Sequence, residues 1–220
     1  MKRTRIKICG LRDHAGVEAC KNAGADAVGF VFFELSPRFV QPEQVAKLVN
    51  ELGPWQTPVA LFVNPEPAQV NQVVELIPNV LLQFHGDESV ELCESFERPY
   101  LKAVRMKRDT DLLAVSQRFA SAAGLLADSW SKNYGGSGTT FDWGWLPDLS
   151  KLHQPLILSG GLDEQNVFQA LQQISPYGVD VSSGVERQPG VKCGSKIHAF
   201  CDAVYKADQA RGGSLSPTDS

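Results

Sequence analysis

Apolar, strand-like runs alternate with helix-like stretches eight times along this chain, and few folds accept that rhythm. The runs are RIKICG, AVGFVFF, PVALFV, VLLQFHG, YLKAVR, GLLADS, PLILSGG and GVDVSSG. Between and after them, stretches such as PEQVAKLVNELG, PAQVNQVVELI and GSKIHAFCDAVYKA carry apolar residues three and four apart, the helical spacing. Only FDWGWLPDL, after the sixth run, fits a helix less well. Pro42 and Pro67 suit first-turn positions, and Glu43, Asp163 and Glu164 favour helix N-termini. Eight such units in 220 residues predict an α/β protein, a single (β/α)8 TIM barrel over residues 1–208. An open doubly wound sheet is the competing architecture. No G-x-G-x-x-G follows the first run, which weakens its dinucleotide-binding form. Residues 209–220, rich in Gly, Ser and Pro, read as a disordered tail.

Bulk properties remove several classes of function. Hydrophobic residues make up 43%, ordinary for a globular enzyme, and a net charge of -4 without a basic stripe argues against nucleic acid. No apolar run approaches the roughly 20 residues of a membrane helix. The N-terminus MKRTRIKICG passes straight into a strand without a signal-peptide core, which predicts a cytoplasmic protein. Five cysteines, an odd count without a C-x-x-C pair, argue against disulfide or metal use and for reduced thiols. No segment reads as a dedicated apolar dimer surface, so a monomer is expected.

In a barrel of this kind chemistry sits at the C-terminal ends of the strands. Read in order, those ends offer Cys9, Arg38, Gln83 and His85, Arg105, Asp128, and two Gly/Ser loops. Gly160 and Gly161 follow the seventh run; Ser182, Ser183 and Gly184 follow the eighth. Glycine lets backbone approach an anion, and serine hydroxyls add donors, so the pair of loops points to a phosphorylated small molecule. Tight turns are the plainer explanation of either loop alone. Asp128 closes an apolar strand with a carboxylate, fit for a general acid or for a rim salt bridge. Cys9 holds the matching place on the first strand, as packing or as a base whose thiol must be lowered. Lys7, two residues earlier, lies on the same side of that strand. Arg38 suits a carboxylate, or simply solvent. NYGGSGTTFDW reads as a mobile lid or a flexible connection. Gln83, His85 and Arg105 are pocket candidates without an assigned role.

The order KICG (7–10), GADAVGFVF (24–32), SPRFV (36–40), LFVN (61–64), QFHGDE (83–88), LLADS, GGSG with FDW (135–143), LSGGL (158–162), DVSSGVE (180–186) and PGVK (189–192) resembles phosphoribosylanthranilate isomerase, over all but the tail. The resemblance implies an Amadori rearrangement of N-(5-phosphoribosyl)anthranilate in tryptophan biosynthesis, with no metal and no organic cofactor. It implies Cys9 as general base and Asp128 as general acid. It implies Arg38 on the anthranilate carboxylate, Asp180 near the anthranilate nitrogen, and the two Gly/Ser loops on the phosphate. The sequence departs from the family at Ser137, where threonine is usual, at Ser159, where alanine is usual, and at Cys193, where an acidic residue often starts the last helix. Two rivals remain. The related isomerase of histidine biosynthesis uses aspartate at the position of Cys9 and a second phosphate site that FVNPEP and HGDESV do not resemble. A phosphosugar-binding barrel without turnover satisfies most of the same motifs.

Overall fold

All eight apolar runs are strands, and they close on one another. The computed structural model describes residues 3–130 and 140–212. Its strands are β1 Arg5–Cys9, β2 Ala27–Val31, β3 Thr57–Phe62, β4 Leu81–Phe84, β5 Tyr100–Met106, β6 Gly124–Ser129, β7 Leu156–Leu158 and β8 Gly178–Val181. Each pairs in parallel with its neighbours in chain order, and β8 returns to β1 through registers such as Lys7 with Asp180. The closed barrel excludes the open doubly wound sheet.

The strands follow two-residue alternation. Ile6, Ile8, Phe30, Phe62, Phe84, Leu125 and Val179 belong to the main apolar core with the helices. Phe62 and Phe84 lie 6.3 Å apart, and Tyr100 meets Phe84 edge-on at 5.9 Å. Burying each such ring contributes about 1.5–3 kcal/mol, so this belt between barrel and helices is a main source of cohesion. The alternate residues, among them Lys7, Cys9, Gly29, Leu61, Gln83 and Asp128, fall on the other face of the strands, toward the barrel axis. That alternation is why functional side chains collect at one mouth.

The helices are α1 His14–Asn22, α2 Pro42–Val49, α3 Pro67–Leu76, α4 Val90–Glu94, α5 Leu112–Arg118, α6 Val167–Gln173 and α7 Gly194–Gly212. Pro42 and Pro67 open their helices as the sequence predicts, and Asp13, Ser89 and Asp111 cap others through side-chain oxygens. Three expectations change. Among the described residues of the link from β6 to β7, FDWGWLPDL forms 3-10 turns, Trp143–Trp145 and Leu149–Lys151, in place of a helix. Asp163 and Glu164 precede α6, because the Asp163 carboxylate accepts from the Gln165 and Asn166 N–H groups and forms a turn instead. α7 runs on to Gly212, anchored where Arg211 meets Asp208 and Thr4, so residues 209–212 are helical. Residues 213–220 of the expected tail, and 133–139 of the expected lid, lie outside the described residues.

After β8 the chain makes a hairpin absent from the sequence reading, β9 Glu186–Gln188 and β10 Val191–Lys192. It brings two charged side chains back over the barrel mouth.

Candidate active site

One cavity of about 790 Å³ opens at the C-terminal ends of the strands. Cys9, Arg38, His85, Asp128, Gly160, Gly161, Asp180, Ser182 and Ser183 all line it. Gly184 does not line it. An added Cβ there would fall 2.0 Å from the Leu162 carbonyl oxygen, so its bare backbone lets the two Gly/Ser loops pack together. Arg105 also stays off the wall, its Nη2 donating to Asp87 at 2.5 Å.

Cys9 is buried at the end of β1, in an apolar patch with Val31, Leu61, Val63 and Phe33. Space for its sulfur comes from Gly29 on β2, where an added Cβ would lie 2.8 Å from Sγ. Gly10 then turns the chain outward at φ +85°, and its missing Cβ admits the Arg38 side chain, whose Cδ would be 2.6 Å away. The pattern KICG thus places a thiol, a turn and a berth for an arginine in four residues. Gly29→Ala is expected to displace the Cys9 thiol and lower kcat by about tenfold or more, with binding of substrate changed far less. Steady-state kinetics check it; an unchanged kcat would mean that the thiol's position does not matter.

Lys7, below Cys9, donates to Asp180 Oδ1 at 2.8 Å, and both side chains are only 5% exposed. Burial works against the Lys7 charge, yet Asp180 and Cys9 outweigh it and hold Lys7 above its ordinary value. Burial also pushes the Cys9 thiol up; Lys7 and Lys192 pull it down without cancelling that rise, while Asp180 adds to it. A base role for Cys9 calls for a lowered thiol. The structure gives the reverse, because desolvation exceeds the attraction of the two ammonium groups.

Arg38 is a cavity residue with only 11% of its side chain exposed, not a surface arginine. Its Nε and Nη2 donate to Glu186 Oε1 and Oε2, both at 2.8 Å, a bidentate pair across 148 residues. Lys192 Nζ donates to the same carboxylate at 2.8 Å and to the Ser182 carbonyl at 2.9 Å. Burial opposes the Glu186 charge, but Arg38 and Lys192 prevail and hold its carboxyl below the usual range. Stability from this cluster is therefore present above the ordinary carboxylate value of 4.5 and is lost as pH falls through the lowered one. Burial lowers Lys192, Glu186 notwithstanding. The sequence holds Glu186 and Lys192 at the ends of DVSSGVE and PGVK but assigns them no role; the Pro189–Gly190 turn between two short runs was the available signal.

Asp128 ends β6 in a polar chain. Its Oδ1 accepts from the Ser129 N–H at 2.8 Å, and Oδ2 lies 2.9 Å from His85 Nε2. His85 Nδ1 in turn lies 3.0 Å from Gln83 Nε2. Behind them, Lys102 donates to the Gly86 carbonyl and to Glu88, each at 2.7 Å, while Glu88 Oε1 accepts from the Gly86 N–H. That buried latch fixes the turn carrying His85. Gly160, at φ +83°, passes so near that an added Cβ would lie 3.0 Å from Asp128 Oδ1. Ser159 Oγ stands 3.4 Å from Asp180 Oδ2. Three of the remaining cysteines, Cys20, Cys93 and Cys201, are buried thiols pushed up to about 12, in keeping with packing roles.

The family model for N-(5'phosphoribosyl)anthranilate (PRA) isomerase matches residues 6–203. The N-(5'-phosphoribosyl)anthranilate isomerase of Methylibium petroleiphilum is 48% identical over 206 residues, 94% of this chain and 96% of that protein. That of Dechloromonas aromatica is 47% identical over 208 residues, 94% and 99% of the two chains. Among solved structures, phosphoribosyl anthranilate isomerase from Thermotoga maritima superposes with TM-score 0.84 at 36% identity, covering 92% of this chain and 99% of that one. A phosphoribosyl anthranilate isomerase in complex with reduced 1-(o-carboxyphenylamino)-1-deoxyribulose 5-phosphate superposes at 0.81, with 33% identity and coverage of 92% and 99%.

Proposed function

The chain belongs to the N-(5'-phosphoribosyl)anthranilate isomerase family, and on that premise we propose how its cavity performs the family's reaction. The enzyme is an isomerase of tryptophan biosynthesis, converting N-(5-phosphoribosyl)anthranilate to 1-(o-carboxyphenylamino)-1-deoxyribulose 5-phosphate. Asp128 is the general acid. It protonates the furanose ring oxygen, and the C1–O bond breaks to leave a protonated Schiff base. Cys9 is the general base and removes the proton from sugar C2; the electron pair moves into the C1–C2 bond, giving an enolamine that tautomerises to the ketone. A modest base suffices because the iminium acidifies that C–H. The same positive charge, formed beside a thiol held up by burial, favours the thiolate when it is needed.

The rest of the cavity binds. The Gly160–Gly161 and Ser182–Ser183–Gly184 loops hold the phosphate, with the Lys192 ammonium behind Ser182. Arg38 takes the anthranilate carboxylate on its Nη1–Nη2 edge, since Glu186 occupies the Nε–Nη2 edge. Asp180 accepts from the anthranilate nitrogen. Val31, Phe33, Leu61 and Val63 supply an apolar wall for the aromatic ring. The observation that carries this reading is one cavity lined by Cys9, Asp128, Arg38 and both Gly/Ser loops.

We place the protein in the cytoplasm, where its five free cysteines stay reduced. No helix among the described residues is long and apolar enough to cross a membrane. We read it as a monomer; sedimentation at assay concentration tests this, with Trp55, 92% exposed, the first contact to suspect should it dimerise. The reaction itself is tested by the decay of substrate fluorescence, the substrate being made in situ from anthranilate and phosphoribosyl pyrophosphate. Rapid decay is expected. A folded protein that binds the substrate and leaves its fluorescence intact would make this a binding barrel.

A further inference from the structure

The chain Gln83–His85–Asp128 does more than the mechanism above uses. A free aspartic carboxyl is almost wholly ionised at neutral pH, whereas imidazole is the side chain that takes up its proton there. His85 Nε2 meets Asp128 Oδ2 at 2.9 Å, and both side chains are buried. Gln83 is fully buried beneath them. Its amide nitrogen faces His85 Nδ1, and its carbonyl Oε1 has no hydrogen-bond partner. Buried carbonyl oxygens are nearly always paired, so this one calls for a reason. Turning the amide over exchanges its two ends and sets Oε1 against Nδ1.

We propose that His85 and Asp128 hold the catalytic proton as one unit, and that the Gln83 amide turns over as the unit loads. This rests on Asp128 being the acid. With one proton on the pair, Nε2–H donates to Asp128 and bare Nδ1 accepts from the Gln83 amide. With two, Nδ1 also carries a proton, and Oε1 of the turned amide accepts it. In the loaded pair the Nε2 proton passes to Asp128 Oδ2, and the carboxyl delivers it to the ring oxygen as the C1–O bond breaks. Left with one proton, on Nδ1, the pair exchanges it through solvent to Nε2 as the amide turns back. It draws its second from solvent, while Cys9 returns to solvent the proton taken from C2, so the cycle closes without an outside reagent. His85 is here a positioning and proton-holding residue, acting through Asp128.

Other charges face the pair. Arg105 is the register partner of Asp128 on β5, held by Asp87. Across the cavity stand Cys9, the Lys7–Asp180 pair and the Arg38–Glu186 pair. Among the described residues Nδ1 meets the Gln83 amide, so changes at Gln83 read the unit selectively. A thiol raised by burial holds its proton more tightly than an ordinary carboxyl or imidazole does. The lower break in the pH dependence of kcat/KM then reports the acid unit, and the upper break reports Cys9.

The test combines kinetics with 15N-histidine NMR of the full chain, His85 being assigned by its loss in His85→Gln. Wild-type His85 is expected to gain its second proton across the lower break. Gln83→Glu supplies a stronger acceptor for Nδ1–H and should move that break up by about one pH unit; Gln83→Met removes the acceptor and should move it down. Shifts of the same sign, an unmoved break with merely lower rates, or a His85 that stays singly protonated through the break would overturn the proposal. If neither variant folds, the wild-type titration decides alone. Asp128→Asn separates the two layers: full activity in that variant sinks the acid assignment itself, whereas loss of activity with unmoved Gln83 breaks sinks only the shared proton.

Discussion

Asp128→Asn is expected to lower kcat by about 10²- to 10⁴-fold, the range a positioned general acid contributes. The side chain keeps its size and can still meet His85 and the Ser129 N–H, so the fold and the cavity should survive. What disappears is a proton that can be given to the ring oxygen, and the furanose stays closed. The loss should fall on kcat, since the proposed binding mode holds the carboxylate, the ring and the phosphate of the substrate elsewhere in the cavity. Fluorescence decay under saturating substrate checks the rate, and circular dichroism checks the fold. A variant within tenfold of wild type would show that the ring opens without Asp128.

The second large effect concerns stability. Lys7→Met should cost about 3–5 kcal/mol, because it strands the Asp180 carboxylate in a site where both side chains are only 5% exposed. The double variant Lys7→Met, Asp180→Leu should recover most of that loss, since no buried charge is then left unpaired. Urea unfolding of the three proteins measures both. The pH dependence follows from the raised Lys7 value. The pair's contribution is complete below the ordinary lysine value of 10.5 and disappears only as pH rises through the raised one. At neutral pH it is intact. Lys7→Met also removes a neighbour that pulls the Cys9 thiol down, so activity should fall beyond what stability explains. A single variant as stable as wild type would mean that water or a proton already compensates Asp180.

How much of this the sequence carried depends on the range of the interaction. Strand order and the two faces of each strand are local, set by two-residue alternation, and they placed Cys9, Asp128 and both Gly/Ser loops at one mouth before any coordinates. Phe30 and Gly29 show how cleanly: one is in the core and its neighbour makes room for a thiol. What stayed hidden joins residues far apart in the chain. Arg38 with Glu186 spans 148 residues and Lys7 with Asp180 spans 173, and no window along the chain sees such pairs. The sequence left Arg38 open between a solvated surface residue and a substrate ligand. The structure adds a carboxylate that aims it. His85 was a candidate without a role because the partners on which its proposed role depends are Gln83, on the strand just before it, and Asp128, two strands away. The direction of the Cys9 shift depended on a balance between burial and charge that only packing fixes. The turn at Asp163 misled because an acidic residue serves equally well at a helix start or just before one.

If Cys9 takes the proton from sugar C2 after Asp128 opens the ring, that hydrogen itself can be followed. Substrate deuterated at C2 would be turned over in ordinary water by wild type, Cys9→Ala and Asp128→Asn, with the label in product and solvent read by mass spectrometry and deuterium NMR. Label should pass to solvent with wild type, more slowly than unlabelled substrate reacts, and stay in unreacted substrate with both variants. Label lost at an undiminished rate in Cys9→Ala would contradict the base role of Cys9, and another base would have to be found in the cavity.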